Sequence, residues 1–200
     1  MSGIFVLASN NPKKAAELRA ILSGAGIQVR TLAEQDIVSE PEENGTTFRE
    51  NALIKARAAR EKCGLPVIAD DSGLEVCALG GAPGVLSARY GASEAGTDGE
   101  RTALLLRELE GVPEGERGAR FVCAAACVLA DGTVIEAEGS VEGVILTEGR
   151  GENGFGYDPV FYLPGYGRTM AEVGAEIKNT ISHRARAFGE LKKKLESYLC

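Results

Sequence analysis

The chain is short of cations, of histidine and of long apolar runs, and each shortage removes a class of function. Lys and Arg number 22 against 29 Asp and Glu, giving a formal charge of −7. A general grip on nucleic acid needs a cationic surface, so a phosphate-bearing ligand here should be small and held by a local cluster. His183 is the sole histidine, and the five cysteines (Cys63, Cys77, Cys123, Cys127, Cys200) include no Cys-x-x-Cys pair. That odd count indicates neither a disulfide framework nor a zinc site, and the thiols read as small core residues in a reducing compartment. The first apolar run stops at Ser9 and Asn10, too early for a signal-peptide core or a membrane span. The expectation is a cytoplasmic protein with neither a membrane nor a nucleic-acid partner. One histidine far from the acidic residues also leaves little material for a nucleophilic triad.

What is present begins with a sizeable core: 200 residues, 44% hydrophobic and 26% charged, fit a single domain over residues 1–200. The most informative stretch is Asp70-Asp71-Ser72-Gly73-Leu74, directly behind the apolar run Pro66-Val67-Ile68-Ala69. The spacing predicts two carboxylates and a hydroxyl at the end of a buried strand, where open α/β sheets place their ligands and where a hard cation finds carboxylate oxygens. Ordinary turn chemistry stands beside that reading, since Asp and Ser bond their own backbone and Gly supplies positive φ. A second junction is its counterpart: residues 5–8 run into Ser9-Asn10-Asn11-Pro12-Lys13-Lys14. The Walker pattern is absent, but free N–H groups at a helix start beside lysines bind anions. A plain surface cap is the alternative.

Periodicity places these junctions in a mixed α/β chain. A strand over residues 4–8 leads to a helix capped by Asn11, opened by Pro12 and ending near Gly24 or Gly26. After a short strand over residues 27–32 and an acidic loop with Glu40, Glu42 and Glu43, Thr46 and Thr47 cap a helix. Its Phe48, Ala52, Ala56, Ala59 and Cys63 share one face, while Asn51 and Lys55 project together from a neighbouring one. Lys55 could equally be a solvated surface lysine. Thr97 or Asp98 caps a helix ending at Gly111, and Asp131-Gly132 turns a hairpin between residues 121–129 and 133–138, with a third strand over 141–146. Residues 149–156 are glycine-rich and mobile-looking, residues 159–163 form a brief strand, and Thr169 with Glu172 has capping-box spacing. The closing helix presents Phe188, Leu191, Leu195 and Leu199, with Lys192, Lys193 and Lys194 on its solvated face.

In seven ordered blocks the chain resembles the inosine/xanthosine triphosphate pyrophosphatases. The blocks are Leu7-Ala8-Ser9-Asn10-Asn11-Pro12-Lys13-Lys14, Thr47-Phe48-Arg49-Glu50-Asn51-Ala52, Ile68-Ala69-Asp70-Asp71-Ser72-Gly73-Leu74, Gly80-Gly81-Ala82-Pro83-Gly84, Ser87-Ala88-Arg89-Tyr90, Gly154-Phe155-Gly156-Tyr157-Asp158-Pro159 and Ile181-Ser182-His183-Arg184. The resemblance implies an elongated mixed β-sheet flanked by helices, two lobes with a central nucleotide-binding cleft, and a homodimer. It implies Mg²⁺-dependent cleavage of ITP, dITP or XTP to the monophosphate and pyrophosphate. Ser9, Asn10, Asn11, Pro12, Lys13, Lys14 and Lys55 would hold the triphosphate; Glu42 and Asp71 would serve Mg²⁺, with Asp71 also the base. Ser72 would contact the nucleotide, and Phe155, Gly156, Tyr157, Asp158, Lys178, His183 and Arg184 would surround the purine. Arg89 would be a lid or dimer residue. The first block departs from the family pattern, which has a small residue and Gly before the Lys where this chain has Pro12-Lys13. On the residues alone, Phe155 and Tyr157 could be core aromatics and His183 a local cap; a general Mg²⁺ phosphatase and a non-catalytic purine-nucleotide sensor stay open as other functions.

Overall fold

The computed structural model describes residues 3–22 and 27–199, with the backbone alone for Lys13 and Leu199. The expected helix end at Gly24 or Gly26, the Lys13 and Leu199 side chains and Cys200 lie outside the described residues. The elements in chain order are β1 (Gly3–Leu7), α1 (Pro12–Leu22), β2 (Ile27–Thr31), α2 (Phe48–Cys63), β3 (Val67–Val76), α3 (Asp98–Glu108), β4 (Gly118–Val128), β5 (Val134–Ile145), β6 (Phe161–Leu163), β7 (Arg168–Thr169), α4 (Ala175–Ile181) and α5 (His183–Leu199). One seven-stranded sheet runs β2-β1-β3-β4-β5-β6-β7. β1 pairs in parallel with β2 and β3, whereas β5, β6 and β7 pair antiparallel, so the fold is mixed α/β as the patterning requires. Among the described residues no helix is long and apolar enough to cross a membrane.

The chain divides into two compact units. Unit 1 comprises residues 1–71, 123–139 and 182–200. Within it, period-two alternation sorts each strand onto two faces. Phe5, Leu7 and Ile68 join Leu18 and Leu22 of α1 and Phe188, Leu191 and Leu195 of α5 in one buried cluster. Val6, Val67 and Ala69, of the opposite parity, are buried too, as are Ala52, Ala56 and Ala59 of α2. The helices begin as the sequence dictates: the Asn11 side chain accepts from the Lys14 N–H at 3.2 Å, and Thr47 and Glu50 close a full capping box on α2. Gly64 ends α2 with φ +67°.

Unit 2 comprises residues 72–122 and 140–181 and has its own core, with Leu74, Val76, Leu105, Phe121, Phe161 and Met170 among its buried members. Thr97 caps α3 through a second box with Glu100.

Five expectations need correction. The acidic pair does not follow a strand end: β3 continues through Asp70 and Asp71 to Val76, because most of this stretch is buried in a strand that lies inside the sheet, between β1 and β4. The hairpin turn at Asp131-Gly132 forms, with the Leu129 N–H donating to the Thr133 carbonyl at 2.9 Å, but the two strands expected after it are one, β5. Gly139 lets it pass unbroken, since a Cβ there would lie 2.5 Å from the His183 carbonyl oxygen at the start of α5. α3 stops at Glu108, before Gly111, where Arg117 Nη2 donates to the Leu109 carbonyl at 2.8 Å. The Thr169 and Glu172 bonds form reciprocally, yet they close a turn, and the helix waits until Ala175. Cys123 and Cys127 are core residues as expected, but Cys63 is only partly buried and Cys77 is exposed, because Cys77 opens a 3₁₀ turn beyond β3.

Candidate active site

Unit 1 gathers carboxylates and cations around β3. Neighbouring residues of a strand point to opposite faces, so Asp70 and Asp71 meet different helices. Asp70 shares the face of Ile68: its Oδ2 lies 3.1 Å from Lys14 Nζ of α1 and 3.6 Å from Arg184 Nε of α5. Asp71 is met by α2, with Lys55 Nζ 3.1 Å from Oδ1 and the Asn51 amide donating to Oδ2 at 3.3 Å. The helical spacing of Asn51 and Lys55 therefore brings both to one carboxylate. Glu43 reaches the same lysine at 3.0 Å.

The two neighbouring carboxyls titrate in opposite directions. Burial pushes Asp70 up, but the Lys14, Arg184 and Lys55 charges outweigh it and hold the carboxyl well below the usual range. For Asp71 burial prevails over Lys55, and its carboxyl is raised above the ordinary value of 3.8. Burial alone would lower Lys55, yet Asp71, Asp70 and Glu43 together keep its ammonium more firmly protonated than an exposed lysine. The result is one carboxyl held low by its cations beside one raised by its burial.

Among the described residues no group of three or more His, Cys, Asp or Glu side chains forms a metal cage. The oxygen donors near Lys55 are those of Asp71 and Glu43. Mg²⁺ commonly takes one or two carboxylates and completes its shell with water and phosphate oxygens, so this donor set fits a hard cation that binds with its substrate. Glu42, the expected ligand, is exposed beside Glu43.

Unit 2 brings Phe155, Asp158 and Lys178 together. Asp158 Oδ2 accepts from the Phe155 N–H at 2.9 Å and from Lys178 Nζ at 2.8 Å. Lys178 Nζ also lies 4.8 Å from the Phe155 ring centre. Tyr157 is a core aromatic whose hydroxyl donates to the Ser87 carbonyl at 2.9 Å; Phe155 is only half-buried. Ser72 belongs to this unit, Arg89 is exposed, and His183 is buried at the start of α5 in unit 1.

Sequence reasoning missed Glu17 and left the parts of Asp70 and Glu43 open. Asp70 enters it only as one of two carboxylates open to a hard cation, whereas Lys14 and Arg184 both face that carboxylate. Glu17 takes Arg184 Nη1 at 3.1 Å, and its i+3 relation to Lys14 on α1 was the available signal. Glu43 is distinguishable from Glu42 only by contact with Lys55.

Comparison with known proteins gives the family. Residues 5–194 match the Ham1 family. The dITP/XTP pyrophosphatase of Frankia alni is 52% identical over 198 residues, covering 97% of this chain and 98% of that protein; that of Thermus thermophilus is 50% identical over 193 residues, covering 96% and 90%. The structure of a HAM1 protein from Coxiella burnetii matches with a TM-score of 0.87 at 43% identity, covering 97% of this chain and 98% of that one. The Staphylococcus aureus Ham1 protein matches with a TM-score of 0.85 at 41% identity, covering 98% and 99%. In sequence over nearly its whole length, and in fold, this chain belongs to the Ham1 family.

Proposed function

We propose that this chain hydrolyses noncanonical purine nucleoside triphosphates (ITP, dITP, XTP) to the monophosphate and pyrophosphate with Mg²⁺, keeping deaminated purines out of DNA and RNA. The observation that carries the reading is the pairing of each β3 carboxylate with its own lysine, Asp70 with Lys14 and Asp71 with Lys55, at 3.1 Å in both cases. Half the sequence is shared with proteins named dITP/XTP pyrophosphatase, which supports the substrate class.

Asp71 accepts the proton of the water that attacks the α-phosphorus. Burial raises its carboxyl, which makes it a better base than an exposed aspartate, while Lys55 opposes that rise. The start of α1, from Ser9, Asn10 and Asn11 through Pro12 and Lys13 to Lys14, receives the phosphate oxygens, and Lys14 and Lys55 stabilise the departing pyrophosphate. Asp70 holds Lys14 and Arg184 in place. Bound Mg²⁺ supplies charge neutralisation at the phosphates; Asp71 and the Glu42-Glu43 pair would hold it, and E42Q and E43Q separate the two glutamates, the ligand being the one whose loss raises the Mg²⁺ requirement.

Ser72 contacts the nucleotide, and purine recognition falls to Phe155, Gly156, Tyr157, Asp158, Lys178, His183 and Arg184, with the Phe155 ring stacking on the base. A 6-oxo group accepts from their donors, whereas the 6-amino group of adenine sets donor against donor. Each donor left unpaired costs about 1 to 3 kcal/mol, or roughly tenfold to a hundredfold in selectivity.

Purified protein with Mg²⁺ and ITP, XTP, GTP or ATP should yield IMP and pyrophosphate from ITP. Release of IDP and orthophosphate would reject the cleavage position, and tight binding of ITP without turnover would reject catalysis. The working form is a cytoplasmic homodimer that does not bind nucleic acid. Light scattering should give twice the chain mass of 21.0 kDa, and a labelled duplex at physiological salt should show no mobility shift.

A further inference from the structure

We propose that the first turn of α3, through Asp98 and Thr102, is a positioning clamp that sets purine selectivity by holding the backbone of Gly156. The proposal deepens the preceding section and rests on its assignment of residues 155–158 to the purine. Gly154 and Gly156 sit at φ +83° and +60°, a region open chiefly to glycine. Bonds from α3 add to those the loop makes within itself between Phe155 and Asp158.

The bonds that do so are specific. Asp98 Oδ2 accepts from the Gly156 N–H at 2.9 Å, and the Thr102 hydroxyl shares its one proton between the Asp98 carbonyl at 2.9 Å and the Gly156 carbonyl at 3.3 Å. Four residues apart, Asp98 and Thr102 share one face of α3, so a single helical turn grips both polar groups of one loop residue. Asp98 is itself oriented: its Oδ1 takes Arg101 Nη2 at 2.6 Å, and the Thr97 and Glu100 capping box fixes where the helix begins. In the preceding peptide group, the Phe155 N–H is held by Asp158. The orientation of the Phe155 backbone, and hence the reach of its ring beneath Lys178, is set from both ends. Donor-against-donor rejection of a 6-amino group works only while the donors cannot swing aside. Loosening the clamp should therefore weaken discrimination more than it weakens chemistry.

The test compares D98A, D98N and T102V with the natural protein on ITP and ATP, with hydrogen exchange of a peptide spanning residues 152–158. D98A and T102V should raise the KM for ITP and shrink the ITP-to-ATP ratio of kcat/KM, each by about tenfold, the worth of one such bond. They should leave kcat within about threefold and speed exchange in the loop. D98N retains an acceptor oxygen for Gly156 and should recover most of the selectivity, although it loses the ion pair with Arg101. An unchanged ratio in both D98A and T102V, or a fall confined to kcat and thermal stability, would overturn the clamp while leaving the activity standing. Failure of the natural protein to release pyrophosphate from ITP would overturn the activity, and the selectivity role with it.

Discussion

Asp70 and Asp71 are adjacent in sequence and identical in chemistry, yet strand alternation gives them different neighbours and opposite titration. D71N should lower kcat by at least about a hundredfold, the usual worth of a general base, with an unchanged urea midpoint showing that the fold survives. K14M acts on the other carboxyl, leaving a fully buried anion to Arg184 and Lys55. It should cost stability toward the lower end of about 3 to 5 kcal/mol, read from urea unfolding. Because the Asp70 carboxyl is depressed in the folded state, its stabilising contribution is complete above the ordinary value of 3.8 and disappears as pH falls through the folded value. For thiols the sign is reversed. Burial pushes Cys127 up to about 12, so its thiolate fraction at pH 8 is on the order of one in ten thousand. A disulfide-exchange reagent at pH 8 should label exposed Cys77 in the native protein, and Cys123 and Cys127 only after denaturation.

Elements were legible where their signals were local. The Thr47-Glu50 and Thr97-Glu100 boxes, the Asn11 cap and the Asp131-Gly132 turn each depend on residues within a few positions, and each forms. T47A should cost about 1 kcal/mol, measured by urea unfolding, because it frees the end of α2 that leads to Asn51 and Lys55. Strand lengths were less legible, since a polar pair inside β3 and a glycine inside β5 look like ends until their neighbours are known. G139A tests this directly. A methyl group 2.5 Å from the His183 carbonyl must push β5 or α5 aside, and an overpacking cost of about 1 to 3 kcal/mol should appear in the unfolding midpoint.

At the scale of the whole molecule, binding should be visible as stability. A non-hydrolysable ITP analogue with Mg²⁺ at about a hundred times its Kd stabilises by about 2.7 kcal/mol. For a chain of this size that is a rise in Tm of roughly 5 to 10 °C. Chelation should remove the part of the rise that depends on the cation, and in D71N the addition of Mg²⁺ should make little difference. The negative net charge predicts that a polyanion such as duplex DNA leaves the Tm unmoved.

The sequence by itself determined the mixed α/β class, the order of most elements and the family resemblance, because periodicity, caps and ordered motifs are encoded in short stretches of chain. It also marked Lys14, Lys55, Asp71 and Lys178 as chemistry-bearing. Only the tertiary structure decided who faces whom: that Asp70 belongs to Lys14 and Arg184, that Glu43 is the acidic neighbour of Lys55, and that Asp98 holds Gly156, 58 positions further along the chain. The reason is physical. An ion pair or a hydrogen bond needs atoms about 3 Å apart, and for residues distant in sequence that proximity is set by how strands alternate and helices pack, which no single segment of the chain contains.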